Sequence, residues 1–307
     1  MLTPKPLFKG ARIALLAAAS SCDCVDPVHC REIVERSKEA LEEKGLVPVV
    51  MPSCNLTYGY LSGTDQERAK DIMDAFADPS IDGIYSIRGG YGTQRLLDLL
   101  DFDVVRRNPK WVGGYSDITA LHIMLNQNGI VSYHCPMPST EVIRGIDDYS
   151  KTWLDRCMFG SLKGELPSAT DVKVLFEEAP RQAEGILCGG NLSLVSSSLG
   201  TPYEIDTKGK ILFLEDVNEA LYRLDGMLNH MRLAGKFEDA AGILLGYWTD
   251  CPDEKGVMEL ETVLRDMLPK NKPVLYNYSC GHSLPSMSLP LGETARIDTE
   301  KRTLTIL

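Results

Sequence analysis

The first half of the chain alternates short apolar runs with amphipathic segments, and this order limits its fold more than any other feature. Apolar runs typical of buried strands occupy residues 12–18, 46–51, 83–87, 111–115 and 130–134. Helical patterns fall between them, at residues 26–43, 64–76, 93–100 and 117–126. Two helix starts are marked, by Asp26-Pro27 and by the capping box from Thr64 to Glu67. Alternation of this kind predicts an α/β fold with a parallel sheet and helices on both faces.

The second half has a looser pattern and predicts a second domain. Residues 161–183 mix glycine, proline and acidic residues, so we expect a connection there. Strand patterns follow at residues 211–214, 241–247 and 274–278, with a long amphipathic helix over residues 219–233. Residues 294–298 and 303–307 predict a terminal hairpin. The expected domains are residues 1–160 and 184–307, in agreement with about 150 residues per domain for a chain of 307.

Charge and hydropathy disfavour two classes of partner. Lys and Arg number 32 against 43 Asp and Glu, a net charge of −11, whereas a nucleic-acid-binding protein normally needs a basic face. No basic run borders an apolar segment, so we expect no membrane-surface binding. Lys5 and Lys9 precede the apolar run of residues 13–19 as in a weak signal peptide, but the run is short and explained better by an opening strand. The expected location is the cytoplasm.

The nine cysteines are odd in number and irregular in spacing, which is typical of reduced, packed thiols rather than a disulfide framework. Cys22, Cys24, His29 and Cys30 form the one sequence cluster that could hold a metal. The cluster lacks a second ligand pair at zinc-like spacing. We therefore expect neither a metal nor a cofactor.

Two glycine-rich segments follow predicted strands, at the sheet edge where ligands bind in folds of this type. Residues 88–92 read Arg-Gly-Gly-Tyr-Gly, and residues 113–117 read Gly-Gly-Tyr-Ser-Asp. Ser116 would lie between a strand and a helix, which is the setting of a nucleophile elbow. It could instead be an ordinary helix N-cap. The glycine loop could also bind a phosphate, although it lacks a dinucleotide or Walker fingerprint.

A serine nucleophile needs a base, and two histidines have a suitable setting. His134 ends a predicted strand of the first domain, and His282 lies in a loop after a strand of the second. The other three, His29, His122 and His230, lie in predicted helices. Cys280 is close to His282 in sequence, but we interpret it as a packed thiol. Glu215 and Asp216 close an apolar strand, either as its solvent edge or as carboxylates that orient a histidine.

These segments, in this order, resemble the LD-carboxypeptidase family, also called murein tetrapeptide carboxypeptidases, which includes the microcin C immunity peptidases. The resemblance is carried by Arg88-Gly-Gly-Tyr-Gly, Gly114-Tyr-Ser-Asp-Ile-Thr-Ala-Leu-His122, Gly189-Gly-Asn-Leu-Ser-Leu194, Ile211-Leu-Phe-Leu-Glu-Asp216 and Gly281-His282. It covers nearly the whole chain, from about residue 9 to the end. It implies a Rossmann-like N-terminal domain, a swivelling C-terminal α/β domain of mixed strands, and a homodimer.

The resemblance also implies roles for individual residues. Ser116 becomes the nucleophile, His282 the general base and Glu215 the carboxylate that orients the imidazole. The main-chain N–H groups of Gly90 and Asp117 become the oxyanion hole. The nucleophile comes from one domain and the other two triad residues come from the other. Arg88 is a candidate for anchoring the terminal carboxylate of a small peptide substrate, although a structural role explains it equally well.

The chain departs from the family pattern in two places. After the first strand, where members often carry Pro-Ser, it has Ala19-Ser20-Ser21-Cys22. It also has no tryptophan between Trp153 and Trp248, where immunity peptidases often carry one that stacks on a nucleotide base. The expected activity is therefore release of D-Ala from murein tetrapeptides. Hydrolysis of aminoacyl-nucleotide antibiotics is the alternative, and a non-catalytic binding protein is a third hypothesis.

Overall fold

The computed structural model describes residues 1–22, 29–252 and 256–307 of the chain. Its strands are β1 Arg12–Leu16, β2 Val47–Val50, β3 Gly83–Ser86, β4 Trp111–Gly114, β5 Ser132–His134, β6 Gly164–Leu166, β7 Lys173–Val174, β8 Gln182–Asn191, β9 Ile211–Val217, β10 Gly242–Thr249, β11 Val274–Tyr276, β12 Leu289–Leu291, β13 Thr294–Asp298 and β14 Thr303–Ile306. Its α-helices are α1 Cys30–Glu43, α2 Asp65–Ala77, α3 Phe102–Arg107, α4 Thr119–Gln127, α5 Asp148–Phe159, α6 Leu192–Ser197, α7 Leu221–Leu233, α8 Lys236–Asp239 and α9 Leu260–Met267.

The chain divides into two compact units. The first holds residues 1–161 and 288–290, and the second holds residues 162–287 and 291–307. The first unit is built on a six-stranded sheet in the order β12-β5-β4-β3-β1-β2. The pairs β1–β2, β1–β3, β3–β4 and β4–β5 are all parallel, and Ile13 to Leu16 of β1 have no accessible surface. The predicted Rossmann-like parallel sheet is confirmed.

Local sequence signals explain the helix boundaries of the first unit. Thr64 accepts a hydrogen bond from the Glu67 N–H while the Glu67 side chain accepts one from the Thr64 N–H, which confirms the predicted capping box of α2. α1 ends at Glu43, and Gly45 just beyond it has φ +81°, a conformation that favours glycine. The predicted start of α1 at Asp26-Pro27 lies outside the described residues.

The segment after the glycine loop differs from the expected single helix. Residues Thr93–Leu99 form a 3-10 helix, and the separate helix α3 follows it. Asp101 begins α3 by accepting hydrogen bonds from the N–H groups of Asp103 and Val104. An aspartate at this position favours a new helix start over continuation of the preceding one, and we had not predicted α3.

The second unit is built on an eight-stranded mixed sheet in the order β6-β14-β13-β8-β9-β10-β11-β7. Its central pairs β8–β9, β9–β10 and β10–β11 are parallel, whereas β13 pairs antiparallel with both β8 and β14. The predicted terminal hairpin is confirmed as β13 and β14. The expected C-terminal α/β domain with mixed strands is also confirmed.

Two parts of this sheet were not expected from the sequence. Residues 161–183, predicted as a connection, contain the short strands β6 and β7 at opposite edges of the sheet. The glycines of β8 reduce its strand signal, yet a Cβ on Gly189 would lie 1.9 Å from the Phe213 carbonyl oxygen. The glycine is therefore needed for the close approach of β8 to β9.

No helix within the described ranges is long and apolar enough to cross a membrane.

Candidate functional site

Ser116 occupies a strained turn between β4 and α4. Its φ is +63°, in the left-handed region that costs a non-glycine residue on the order of 1–3 kcal/mol. A short 3-10 helix, Ser116–Ile118, leads from this turn into α4. The N-cap positions of the 3-10 helix and of α4 are Tyr115 and Ile118. The alternative of Ser116 as a helix N-cap is therefore wrong, and the backbone has the form of a nucleophile elbow.

The glycine loop, residues 88–92, lies directly against this elbow. A Cβ on Gly89 would lie 2.8 Å from the Cβ of Ser116 and 3.4 Å from the amide nitrogen of Asp117. A Cβ on Gly90, whose φ is +118°, would lie 2.4 Å from the Oγ of Ser20. Glycine is required at both positions by space and at Gly90 also by conformation. The main chain of the loop can thus come close to the serine.

Hydrogen bonds from three elements hold the glycine loop in place. Ser20, after β1, accepts the Tyr91 N–H at 3.0 Å. Arg68 of α2 is fully buried and donates from Nη1 to the carbonyl oxygens of Ala18 and Gly92. Asp117 accepts the N–H of the residue after the loop, Thr93, at 2.7 Å. These contacts fix the backbone of the loop beside the elbow.

Burial raises the pKa of the Asp117 carboxyl, because desolvation disfavours its charged form. Hydrogen bonds from the main chain of Thr93 and Gly92 oppose this shift. Burial likewise lowers the pKa of Arg68, and the nearby Asp65 opposes that shift. Each side chain has a hydrogen-bond partner in this buried region, since Thr93 donates to Asp117 and Arg68 donates to Asp65.

Arg88 lies at the start of the glycine loop and is half-buried. Its Nη1 donates to the Ser21 carbonyl at 2.7 Å, and its Nε donates to the Gly89 carbonyl at 3.2 Å. The guanidinium thus joins the loop to the segment after β1. A structural role is evident, and the role of carboxylate anchor stays a prediction.

Glu215 and His282 meet within the second unit. Nδ1 of His282 lies 2.7 Å from Oε2 of Glu215. The Glu215 side chain is fully buried, and that of His282 is 13% exposed. An ionised carboxylate only accepts hydrogen bonds, so a neutral imidazole in this pair would donate its Nδ1–H and carry its lone pair on Nε2.

Two glycines make room for this carboxylate. A Cβ on Gly281, whose φ is +127°, would lie 2.7 Å from Oε2 of Glu215. A Cβ on Gly246 would lie 3.2 Å from the Glu215 Cβ and 2.3 Å from the Cys280 carbonyl oxygen. Glu215 therefore approaches the loop of His282 through space that a larger residue would fill. Cys280 is buried, as expected for a packed thiol.

Asp216, which the sequence left as an alternative carboxylate, has other partners. It accepts hydrogen bonds from Asn191 Nδ2 at 2.8 Å and from the Ser193 N–H at 2.9 Å. Burial raises its pKa, and the hydrogen bond from Ser193 opposes the shift. Asp216 thus stabilises the beginning of α6.

His122 and His134 of the first unit are buried, whereas His29 is exposed. The ring of His134 packs against Tyr115 with centroids 5.5 Å apart. The ring of His122 lies between Ser132 Oγ and the Gly114 carbonyl, each at 2.9 Å, and burial lowers its pKa to about 4. His122 thus packs beneath the strand that carries the elbow.

The cysteine cluster is described only in part. Cys22 is buried, Cys30 is half-buried, and Cys24 lies outside the described residues. Within residues 1–22, 29–252 and 256–307, no group of three or more His, Cys, Asp or Glu side chains is placed to hold a metal ion.

The predicted residues occur in two groups. Ser116, Gly90, Asp117 and Arg88 belong to the first unit, and Glu215 and His282 belong to the second. Sequence reasoning missed Ser20 and Arg68, which hold the glycine loop. A signal for Arg68 was present, because it shares a helix face with Ile72 and Phe76, both buried, at a spacing of four.

Both halves of the chain match known domain families. Residues 13–135 match the LD-carboxypeptidase N-terminal domain, and residues 184–297 match the LD-carboxypeptidase C-terminal domain. A curated relative from Bacillus subtilis, named a probable murein peptide carboxypeptidase, is 38% identical over 99% of this chain and 93% of its own length.

Two solved structures are similar over nearly the full length. A muramoyltetrapeptide carboxypeptidase from Oxalobacter formigenes has a TM-score of 0.82 and 26% identity, and the match covers 96% of this chain and 97% of that one. The microcin C7 self-immunity protein MccF in complex with aspartyl sulfamoyl adenosine has a TM-score of 0.87 and 25% identity, with 100% and 98% covered.

Proposed function

Because the chain belongs to the LD-carboxypeptidase family, we propose that it is a serine carboxypeptidase that releases the terminal D-Ala from murein tetrapeptides. The observation that carries the proposal is the left-handed backbone of Ser116, with φ +63°. Strain of this kind persists where the surrounding structure enforces it, and it occurs at sites of chemistry. The relatives named as murein and muramoyltetrapeptide carboxypeptidases support the choice of substrate.

The proposed reaction is acyl transfer through a covalent intermediate. The Oγ of Ser116 attacks the carbonyl carbon of the bond before D-Ala, and Nε2 of His282 accepts the serine proton. The oxyanion of the tetrahedral intermediate accepts hydrogen bonds from the N–H groups of Gly90 and Asp117. His282 then donates its proton to the leaving amine. Water attacks the acyl-serine with His282 again as base, which frees the shortened peptide and restores Ser116.

Glu215 acts in this scheme through His282. Its hydrogen bond to Nδ1, at 2.7 Å, holds the ring in the tautomer whose Nε2 is a base. When Nε2 is protonated, the buried carboxylate stabilises the imidazolium by charge. Glu215 is therefore a positioning residue, not a group that touches the substrate.

Arg88 is proposed to bind the terminal carboxylate of the peptide. It is a half-buried cation at the loop that carries the oxyanion donors, and guanidinium groups bind carboxylates in a fixed geometry. Arg88→Lys would keep the positive charge but lose the paired N–H donors of the planar guanidinium group. We expect it to raise KM for a peptide acid and to leave a peptide amide unaffected.

Hydrolysis of aminoacyl nucleotides is the second candidate function. The observation in its favour is the similarity to MccF, which was solved with aspartyl sulfamoyl adenosine. The absence of a tryptophan between Trp153 and Trp248 favours the murein peptide instead. The same catalytic residues would serve either substrate.

One experiment separates these functions. The protein is incubated with a murein tetrapeptide and, separately, with an aminoacyl sulfamoyl adenylate, and the products are identified by mass spectrometry. We expect loss of D-Ala from the peptide and an intact nucleotide, with Ser116→Ala inactive. If neither substrate is cleaved and a fluorophosphonate probe fails to label Ser116, the chain is a binding protein and the proposal is wrong.

Location and assembly complete the proposal. A role in recycling cell-wall peptides would place the protein in the cytoplasm, and the family resemblance suggests a homodimer. Cell fractionation would test the first. Sedimentation velocity would test the second, with a mass near twice 33.9 kDa expected.

A further inference from the structure

Two exposed tyrosines stand together beside the glycine loop. Tyr91 belongs to the glycine loop and is 52% exposed, and Tyr60 is 56% exposed. Their ring centroids are 5.8 Å apart, with the planes inclined by 62°. Other tyrosines of the first unit, such as Tyr85 and Tyr133, are buried in its core. We call Tyr60 and Tyr91 the tyrosine pair.

The backbone of each residue is fixed, so the pair is not a consequence of loose loops. Tyr91 lies between Gly90 and Gly92, whose φ values are +118° and +125°, and its N–H donates to Ser20. The carbonyl oxygen of Tyr60 accepts the Ser21 N–H at 3.1 Å. Both tyrosines are thus held by the segment that follows β1, at the sheet edge where parallel α/β proteins bind ligands.

A cation borders the pair. The pKa of Arg95 is raised mainly by its hydrogen bond to Asp65, with smaller contributions from the nearby Tyr91 and Tyr60. Its Nη2 and Nε donate to Asp65 at 2.8 and 3.1 Å, so its position is fixed. The tyrosine pair and Arg95 therefore combine two aromatic ring surfaces, two phenol hydroxyls and the edge of a guanidinium group. Such a combination suits a ring that has an apolar face and hydroxyls at its rim.

Distance along the chain indicates which part of a substrate would reach the pair. Gly89 is in contact with Ser116, and Tyr91 is two residues further, at most about 7.6 Å between Cα atoms, with its phenol beyond. Three residues on the acyl side, fully extended, span about 10–11 Å. The group attached to the far end of a tetrapeptide therefore falls within reach.

The geometry points to a subsite in which Tyr60 and Tyr91 bind the pyranose ring of a muramoyl peptide on the acyl side of the cleaved bond. This inference rests on the proposed function, which it deepens. The sugar's C–H face would pack on the tyrosine rings, and its hydroxyls would bond to the phenols and to Arg95. Since the contact is remote from the reacting atoms, it would contribute to binding.

The test compares two substrates that differ only in the sugar. Wild type, Tyr91→Ala and Tyr60→Ala are assayed with a free murein tetrapeptide and with the same tetrapeptide carrying N-acetylmuramic acid. We expect each variant to lose about fivefold in kcat/KM on the glycopeptide, mainly through KM, because aromatic contacts are worth on the order of 1 kcal/mol. On the free peptide each variant should stay within about twofold of wild type.

Controls distinguish loss of the ring from damage to the loop. Tyr91→Phe keeps the ring and should retain most of the glycopeptide activity. Tyr222→Ala removes a tyrosine that is 72% exposed on α7 of the second unit, and it should change neither substrate. Equal losses on both substrates, or no loss on either, would overturn the subsite. If an aminoacyl nucleotide is assayed as a third substrate and only its kcat/KM falls in the tyrosine variants, the assignment of the ligand as a sugar would be overturned.

The subsite can also be tested if the protein proves not to be a peptidase. If wild type cleaves neither peptide, the subsite is tested by binding alone, with calorimetric titration of the glycopeptide and the free peptide into Ser116→Ala. Tighter binding of the glycopeptide that is lost in Ser116→Ala with Tyr91→Ala would support the subsite without catalysis. Equal affinity for the two peptides would contradict it.

Discussion

Nδ1 of His282 lies 2.7 Å from Oε2 of Glu215, a fully buried carboxylate 67 positions earlier in the chain. The sheet of the second unit creates this pair, because β9 delivers Glu215 at its end and the loop containing Gly281 and His282 passes over it. No single segment of sequence holds both residues.

Removing either reacting group should abolish the same step. We expect Ser116→Ala and His282→Ala each to lower kcat on the order of 10⁴-fold or more, and the double variant to lose little beyond that, because the residues act as a unit. Glu215→Ala should cost less, since His282 can still adopt the productive tautomer part of the time. Steady-state kinetics and circular dichroism of each variant provide the measurement.

His134 is the control for the choice of base. Its buried ring packs on Tyr115, so His134→Ala should lower the melting temperature yet keep kcat within about tenfold of wild type. If a folded His134→Ala variant is inactive while His282→Ala still turns over, the base is His134 and the proposed triad is wrong.

The backbone strain at Ser116 should be relieved when the residue is replaced by glycine, and the relief should raise the free energy of unfolding. Ser116→Gly and Ser116→Ala both lack the nucleophile, but only glycine adopts φ +63° without a penalty. We expect Ser116→Gly to be more stable than Ser116→Ala by about 1 kcal/mol in urea unfolding. Equal midpoints and slopes for the two variants would show that the turn relaxes and stores no strain.

Crowding the Glu215–His282 pair should impair catalysis without removing a catalytic group. Gly281→Ala would place a Cβ 2.7 Å from Oε2 of Glu215, so the carboxylate or the loop must shift. A displacement of this size can cost about 10²-fold in kcat. Gly164→Ala is the matched control, with φ +99° and no atom within 4 Å of the added carbon. It should lose stability and keep kcat; equal kcat losses in both variants would assign the effect to backbone strain.

The buried guanidinium of Arg68 should matter for turnover although it lies in α2. Arg68→Met would leave the Gly92 and Ala18 carbonyls without their donor and release the glycine loop. We expect kcat to fall by about 10²-fold with little change in KM, and partial recovery in Arg68→Lys. Arg95→Met is the control, because Arg95 shares Asp65 as a partner but is exposed. On the free tetrapeptide it should match wild type, and a KM effect in Arg68→Met would contradict the positioning role.

Stability should fall in acid because of His122. Burial lowers its pKa to about 4, against about 6.5 in the unfolded chain, so between these values the unfolded state binds the proton and the folded state does not. The contribution is present above about pH 6.5 and is lost as the pH falls towards 4, on the order of 3 kcal/mol in total. Urea unfolding across this range should show a flatter pH dependence for His122→Asn. Parallel profiles for wild type and variant would exclude His122 as the cause.

Local patterns in the sequence predicted much of the first unit. The alternating apolar runs, the capping box at Thr64 and the glycine at position 45 act over a few residues, so their consequences can be derived without the fold. The elbow at Ser116 was likewise indicated by its position between a strand and a helix. Its left-handed backbone distinguishes it from an N-cap, which sequence alone left open.

Contacts between distant segments were decided only by the tertiary structure. The short strands β6 and β7 have too few apolar residues to be predicted from the sequence. The strand β8 is evident only in the fold, where Gly189 fits against Phe213. From the sequence alone, Arg68 is interpreted as a surface charge. In the fold, its guanidinium is buried against main-chain carbonyl groups. The family resemblance already favoured Glu215 over Asp216, but the physical reason lies in the fold, since successive side chains of a strand point to opposite faces and only one can reach the histidine.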